Sequence, residues 1–305
     1  MVADLVGDGQ VGDNEREGLE EALQNYSQTI NIDLLTNSVK NKGKMSDQAT
    51  VINFRENAKD TLAFWLANRM DQLAFLTLSG ISYAYKNDGS TRSGSNFTSL
   101  AFAGDVSAPS SKRHLMFDGT NLVPSVTGSI TSSYVPNYKM LVKLGAYAKT
   151  HYLRPIMAGG KAYYVLFVHP LTLSALKQDA DYQRAMVTGM PRGADNPFFT
   201  GASVTIDGLV IHEHNLVYNT LGAASGSKWG SGGAIDGSRT LLCGSQALAM
   251  ADLGTPEWNE KSFQYGSQNG INIDKMTGFL KPKFYSIYDG SVQDFGVVCC
   301  DHYIN

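Results

Sequence analysis

Between Asn53 and Gly80 the chain reads NFRENAKDTLAFWLANRMDQLAFLTLSG, and no other stretch limits the possible folds as strongly. Phe54, Ala58, Leu62, Trp65, Leu66, Met70 and Leu73 recur at intervals of three and four, the spacing that lines one face of an α-helix. Asn53 is placed to cap the first turn with Glu56 at the third helical position, and Gly80 is placed to end the last turn. At 1.5 Å per residue the predicted helix, 54–80, spans about 40 Å. That is the length of a structural spine.

The remaining segments mix both element types. Asn137–His151 (NYKMLVKLGAYAKTH) predicts a second helix. AYYVLFVHP is a β-branched and aromatic run ended by Pro170, and helical LTLSALKQDADYQRAM follows it directly. GLVIHEHNLV reads as a strand, and KPKFYSIYDG and FGVVCCDHYIN contain strand-like segments. Residues 86–133 are rich in Ser, Thr and Gly with little periodicity, which predicts a loop-heavy excursion. The fold class is α+β, without repeats. No linker separates independent domains, so any subdivision must come from the chain leaving a region and returning to it.

A net charge of −3 excludes a strongly basic nucleic-acid binder and a polybasic membrane clamp. Only 17% of residues are charged, against about 25% in ordinary soluble domains. Such a surface fits a chain covered by neighbouring subunits, and equally a β-rich monomer with polar uncharged strands. No run reaches the roughly 18 to 20 apolar residues of a membrane span, and MVADLVGDGQ lacks the pattern of a secretory signal. Cys243, Cys299 and Cys300 are too few and too badly spaced for a disulfide scaffold or a zinc site, so buried free thiols are expected. The sequon at Asn96 has no meaning without a secretory route.

Several motifs invite a catalytic reading. Gly7, Gly9 and Gly12 in GDGQVGDNEREGLEEAL spell GxGxxG, with a helix-like run (EREGLEEAL) after them and Asp33 further on. A phosphate cradle needs a helix N-terminus with a positive field. This one would be crowded by Asp13, Glu15, Glu17, Glu20 and Glu21 against a single Arg16, and no second strand and helix follow at the right spacing. His212 and His214 would share a strand face as metal ligands can, yet no third ligand is identifiable. Lys228 sits between Ser227 and Trp229 rather than in GxxxxGK[ST], and no GxSxG surrounds Ser245 or any other serine. Asp179 and Asp181 read as solvated helix surface. The sequence therefore assigns no catalytic residue, cofactor or metal.

In the order of its segments the chain resembles the major capsid proteins of tailed bacteriophages, particularly a subfamily opening with GxxGD and an EGxEEAL-like helix, followed by a long helix ending in SG. The matching segments are GQVGDNEREGLEEAL, then KGKMSDQATVINFRENAKDTLAFWLANRMDQLAFLTLSG, then CGSQALAMADLG, WNEKSFQYGSQNGI and the DFGV of QDFGVVCCDHY. Residues 81–133 match least.

The resemblance implies a Johnson fold, in which 1–40 is part of an extended loop reaching across a neighbour and the N-terminal arm is short or missing. Residues 41–80 and 256–305 would form a peripheral domain with the spine helix, 81–133 a loop-rich insertion, and 134–255 an axial domain. It implies a non-enzymatic subunit of an icosahedral head, assembled in the host bacterial cytoplasm into hexamers and pentamers around double-stranded DNA held by non-specific contact. The implied partners are other copies of the chain, together with scaffold, portal and decoration proteins, and no membrane. Gly12, Asp13, Glu15, Arg16, Glu17, Glu20 and Glu21 are the expected inter-subunit contacts. The alternatives are an encapsulin-like nanocompartment shell, another phage structural protein and, from a different class, a nucleotide-dependent enzyme using Gly7, Gly9 and Gly12.

Overall fold

The computed structural model describes residues 5, 7–13, 17–49, 53–94, 96–189 and 204–305. In chain order the elements are β1 (Asp33–Lys40), α1 (Lys44–Ala49), α2 (Phe54–Ser79), β2 (His114–Phe117), β3 (Leu122–Pro124), α3 (Tyr138–Thr150), β4 (Ile156–Ala158) and β5 (Lys161–Val168). There follow α4 (Pro170–Gln178), α5 (Ala180–Gly189), β6 (Val204–Ile206), β7 (Leu209–Glu213), β8 (Gly237–Cys243), β9 (Ala249–Phe263), β10 (Gln268–Leu280), β11 (Lys283–Ser286), β12 (Ser291–Asp294) and β13 (Val297–Tyr303).

Helix α2 forms where the periodicity places it. The Asn53 side chain accepts from the Arg55 N–H, and Gly80, at φ 67°, turns its own N–H back to the Leu76 and Thr77 carbonyls. A side chain at Gly80 would also meet the Ser107 carbonyl oxygen, 2.6 Å from a Cβ. The first two-thirds of the helix pack Ala58, Leu62 and Leu66 with Leu35, Ile271 and Ile273 of an antiparallel three-stranded sheet, ordered β1-β10-β9. Its last turns lay Phe75 and Leu78 on Leu241, Cys243, Val297 and Cys299 of the larger sheet.

That larger sheet has eight strands, in the order β3-β2-β13-β8-β5-β7-β6 with β4 on β5. It is mixed, since β13 runs parallel to β2 and β5 parallel to β7. Side chains alternate across a strand, so the opposite residues of β8 and β13, Leu242, Val298 and Cys300, join Leu144, Leu176, Tyr182 and Met186 of α3, α4 and α5. Every residue of β8 is buried because both faces are covered.

Three expectations need correction. The run EREGLEEAL forms no helix in its described part, because Gly18 is left-handed (φ 87°) and Leu19 and Leu23 have no core to pack against. The segment 171–186 breaks at Asp179, whose carboxylate accepts the first N–H of α3 from Tyr138 at 2.8 Å. Residues 81–133, read as loop, contribute β2 and β3 to the large sheet. Within 256–305, β10 pairs with β1 beside the spine helix, while β13 lies in the eight-stranded sheet between β2 and β8.

Candidate assembly surface

A buried ion pair ties the eight-stranded sheet to the end of the spine helix. Arg239 of β8 is buried and makes a fork to Asp301 of β13, with Nε to Oδ1 at 2.7 Å and Nη2 to Oδ2 at 3.0 Å. Its remaining nitrogen, Nη1, donates to the Ser79 carbonyl in the last turn of α2 at 2.7 Å, so a cation also meets the negative end of the helix dipole. His114 and Ser125 complete the Asp301 carboxylate at 2.8 and 2.7 Å. Burial pushes that carboxyl up, but the Arg239 charge and these hydrogen bonds together hold it well below the usual carboxylate range. Lys281 and Asp294, both fully buried, pair at 3.0 Å beside β12. The subunit also presents apolar surface that it does not bury itself.

Part of that surface is the segment before β1. Residues 26–33 are moored: Asn31 donates from its backbone and side chain to Asp105, Gln28 accepts from the Lys283 N–H, and Asp33 accepts from the Ala101 N–H. Upstream, residues 7–13 and 17–24 run exposed without joining any sheet. Gly12, Asp13, Glu17, Glu20 and Glu21 all lie on this exposed arm, whereas Glu15 and Arg16 fall outside the described residues. Gly9 and Gly12 take positive φ, as the turns require. The Glu21 carboxylate accepts the Gly7 N–H at 2.8 Å, and Glu20 accepts the Gly18 N–H at 2.8 Å. The Gly7 N–H is thus taken by a carboxylate of the chain itself, and among the described residues no helix N-terminus faces this loop. Asp33 is already engaged by Ala101, so the dinucleotide fingerprint is not assembled.

A second part is the β9–β10 hairpin. β9 is a 15-residue edge strand, exposed along nearly its whole length, and Trp258 and Phe263 are more than one-third exposed on it. At the tip Tyr265 stands fully in solvent with a left-handed backbone (φ 52°). A long bare edge with aromatic side chains is a hazard for a lone monomer unless another chain covers it. The outer face of α2 adds Phe64, which is 77% exposed.

The residues singled out for other chemistry have structural partners instead. His212 and His214 do share a face, with ring centroids 6.3 Å apart, but His214 stacks on Phe75 at 4.6 Å and its Nδ1 accepts the Leu216 N–H. Burial lowers the His214 pKa. Among the described residues no three His, Cys, Asp or Glu side chains gather as a metal site. Lys228 pairs with Asp236 at 2.7 Å, the Ser245 N–H donates to the Arg154 carbonyl, and Asp181 faces Arg184. The three cysteines are buried and free, and burial pushes each thiol up, Cys299 to about 11. Among the described residues no helix is long and apolar enough to cross a membrane.

A family model described as "Phage capsid protein" matches residues 1–305. The chain belongs to this family of phage capsid proteins. It is 50% identical over 303 residues to a major capsid protein of Pseudomonas phage KPP25, a match that takes in 98% of this chain and 81% of the relative. Among solved structures, the capsid of Ralstonia phage GP4 superposes with a TM-score of 0.80 at 23% identity, covering 100% of this chain and 82% of that one. The capsid asymmetric unit of cyanophage Pam1 gives 0.75 at 18% identity, covering 100% and 83%. The fold is therefore the α+β tailed-phage capsid fold, and the family places the chain among structural components of the virion. Sequence reasoning missed the two features that matter most to this member of the family, the bare β9 edge and the buried Arg239–Asp301 lock. The partners of the lock lie 62 residues apart, and no local pattern marks them.

Proposed function

We propose that the chain is the major shell subunit of a phage head, assembling with itself into hexamers and pentamers that enclose double-stranded DNA. What carries this reading is the apolar and acidic surface that the subunit presents and cannot bury alone: Leu19 and Leu23 on the arm, and Trp258, Phe263 and Tyr265 on the hairpin. Contacts of this kind, repeated many times around a closed shell, hold by summed area while each remains adjustable. In this reading the arm ahead of β1 reaches over a neighbour, α2 with the three-stranded sheet forms the peripheral domain, and the eight-stranded sheet with α3, α4 and α5 forms the axial domain. Assembly takes place in the host cytoplasm, with scaffold, portal and decoration proteins as further partners.

The test is electron microscopy of fast-sedimenting material from cells expressing the chain, with analysis of its contents. Closed shells or capsomer rings support the proposal, and encapsidated DNA separates a phage head from a protein-filled compartment. A homogeneous monomer in the presence of scaffold and the remaining head proteins refutes it.

A further inference from the structure

A cleft of about 490 Å³ opens between α2, β1 and the loop that follows α2. Arg69, Lys86 and Arg92 bring three cationic side chains to its wall beside Trp65 and Phe97, and among the described residues no acidic one lines it. The two guanidinium groups converge on a single neutral acceptor. Arg69 Nη1 donates to Gln72 Oε1 at 2.5 Å, and Arg92 Nη2 donates to the same oxygen at 3.3 Å. Arg92 is further fixed by its Nε on the Tyr85 carbonyl at 3.0 Å, and its guanidinium lies 5.1 Å from the centre of the Phe97 ring.

Among the described residues neither arginine forms an ion pair. The nearby Asp88 has its Oδ1 occupied by the Ser90 N–H and hydroxyl. Burial and the Arg69 charge, in that order, disfavour the charged Arg92, and the Asp88 charge offsets them only in part. Two like charges in a half-buried wall are at odds unless an anion sits between them. A guanidinium pair of this kind selects planar, bidentate acceptors, carboxylates among them.

The chain carries a matching ligand. Residues 13–21 hold Asp13, Glu15, Glu17, Glu20 and Glu21 against the one Arg16. The described acids of this stretch are exposed, as is Leu19 between them. An E-G-L-E-E segment offers carboxylates to the arginines and an apolar side chain to Trp65 and Phe97. Within one subunit the Glu20 carboxylate accepts the Gly18 N–H and the Glu21 carboxylate the Gly7 N–H, both from the arm. We propose that the Arg69–Lys86–Arg92 cleft is the receptor for the acidic arm segment Glu17–Glu21 of a second copy of this chain. The inference rests on the shell-subunit reading and supplies it with a residue-level contact. Such a contact is head-to-tail, so each copy both gives an arm and receives one, which is the geometry that closes into rings.

The experiment places one cysteine on each side in the full-length chain, Ser93→Cys on the cleft rim and Glu20→Cys in the arm, and adds a short bis-maleimide. The three native thiols are buried and leave the background low. The double variant is expected to give a ladder of covalent multimers, and an equal mixture of the two single variants a covalent dimer. Adding Arg69→Glu to the double variant should cut the yield by at least about tenfold, because it sets like charges against each other. A double variant cross-linked only within one chain overturns the inference. So do closed shells that give no ladder, the result expected if duplex DNA or phosphate fills the cleft instead. Micrographs of the same samples separate the two ideas. Shells without a ladder remove this contact alone, whereas a ladder from material that forms neither shells nor capsomer rings in the presence of scaffold and the other head proteins supports the contact and removes the shell reading.

Discussion

Replacing Asp301 with Asn tests whether the Arg239 lock joins the spine helix to the large sheet. The substitution keeps the shape of the side chain and removes its charge, leaving a buried guanidinium with one neutral acceptor in place of a carboxylate fork. Breaking one side of a buried pair costs about 3–5 kcal/mol. With an unfolding entropy of about 2.1 cal/mol/K per residue over 305 residues, Asp301→Asn should lower the midpoint of thermal unfolding by about 5–8 °C. Scanning calorimetry of the unassembled subunit at pH 7 measures this. The companion variant, Arg239→Met with Asp301→Leu, removes both charges and should lose less than the single substitution, since an apolar pair of similar volume is often neutral. The pH dependence has a defined sign. The Asp301 carboxyl is held below its unfolded value of about 3.9, so its contribution is complete above that value and is lost as the pH falls through the folded one. The gap between parent and Asp301→Asn should therefore stay constant above about pH 5 and narrow below about pH 4. A midpoint within about 1 °C of the parent, or a double variant less stable than the single one, would falsify the reasoning.

His302 is buried between the Thr240 hydroxyl and the Tyr303 carbonyl, and burial holds it down at about 4. Its unfolded value is about 6.5, so the unfolded state takes up the proton first and stability falls from about pH 6.5 towards pH 4; in His302→Gln, thermal midpoints read across that range should fall less steeply. Cys243, Cys299 and Cys300 should resist iodoacetamide in the native subunit and all react once it is unfolded in denaturant, as intact mass will report; rapid native labelling of any of them would contradict the packing of β8 against β13. Gly80→Ala places a Cβ at positive φ and 2.6 Å from the Ser107 oxygen, so it should cost more than about 1 kcal/mol in urea unfolding, and an unchanged denaturation midpoint would show that the helix end can relax.

What could be read from local sequence was whatever local physics decides. The spine helix was legible because Ala58, Leu62, Leu66 and Leu73 repeat at helical spacing between a capping Asn53 and a left-handed Gly80. The β5–α4 junction was legible because His169-Pro170 caps a helix directly after an apolar run. The β9–β10 hairpin was not. Gly254 and Pro256 interrupt it where the register shifts, in a bulge spanned by Lys275, whose Nζ bonds Asp252 and the Gly254 carbonyl. β9 also has no alternation to detect, because the isolated subunit buries almost none of it.

The order of segments along the chain was enough to indicate the capsid family, since order survives when individual contacts cannot be read. Only the tertiary structure decided which strands meet. It set β13 rather than a neighbour in sequence between β2 and β8, brought Arg239 and Asp301 together across 62 positions, and gathered Arg69, Lys86 and Arg92 around an acid-free cleft. It also left the described part of the EREGLEEAL segment without a helix. Amphipathic spacing makes a helix only where a core receives the apolar face, and in the single subunit Leu19 and Leu23 face solvent.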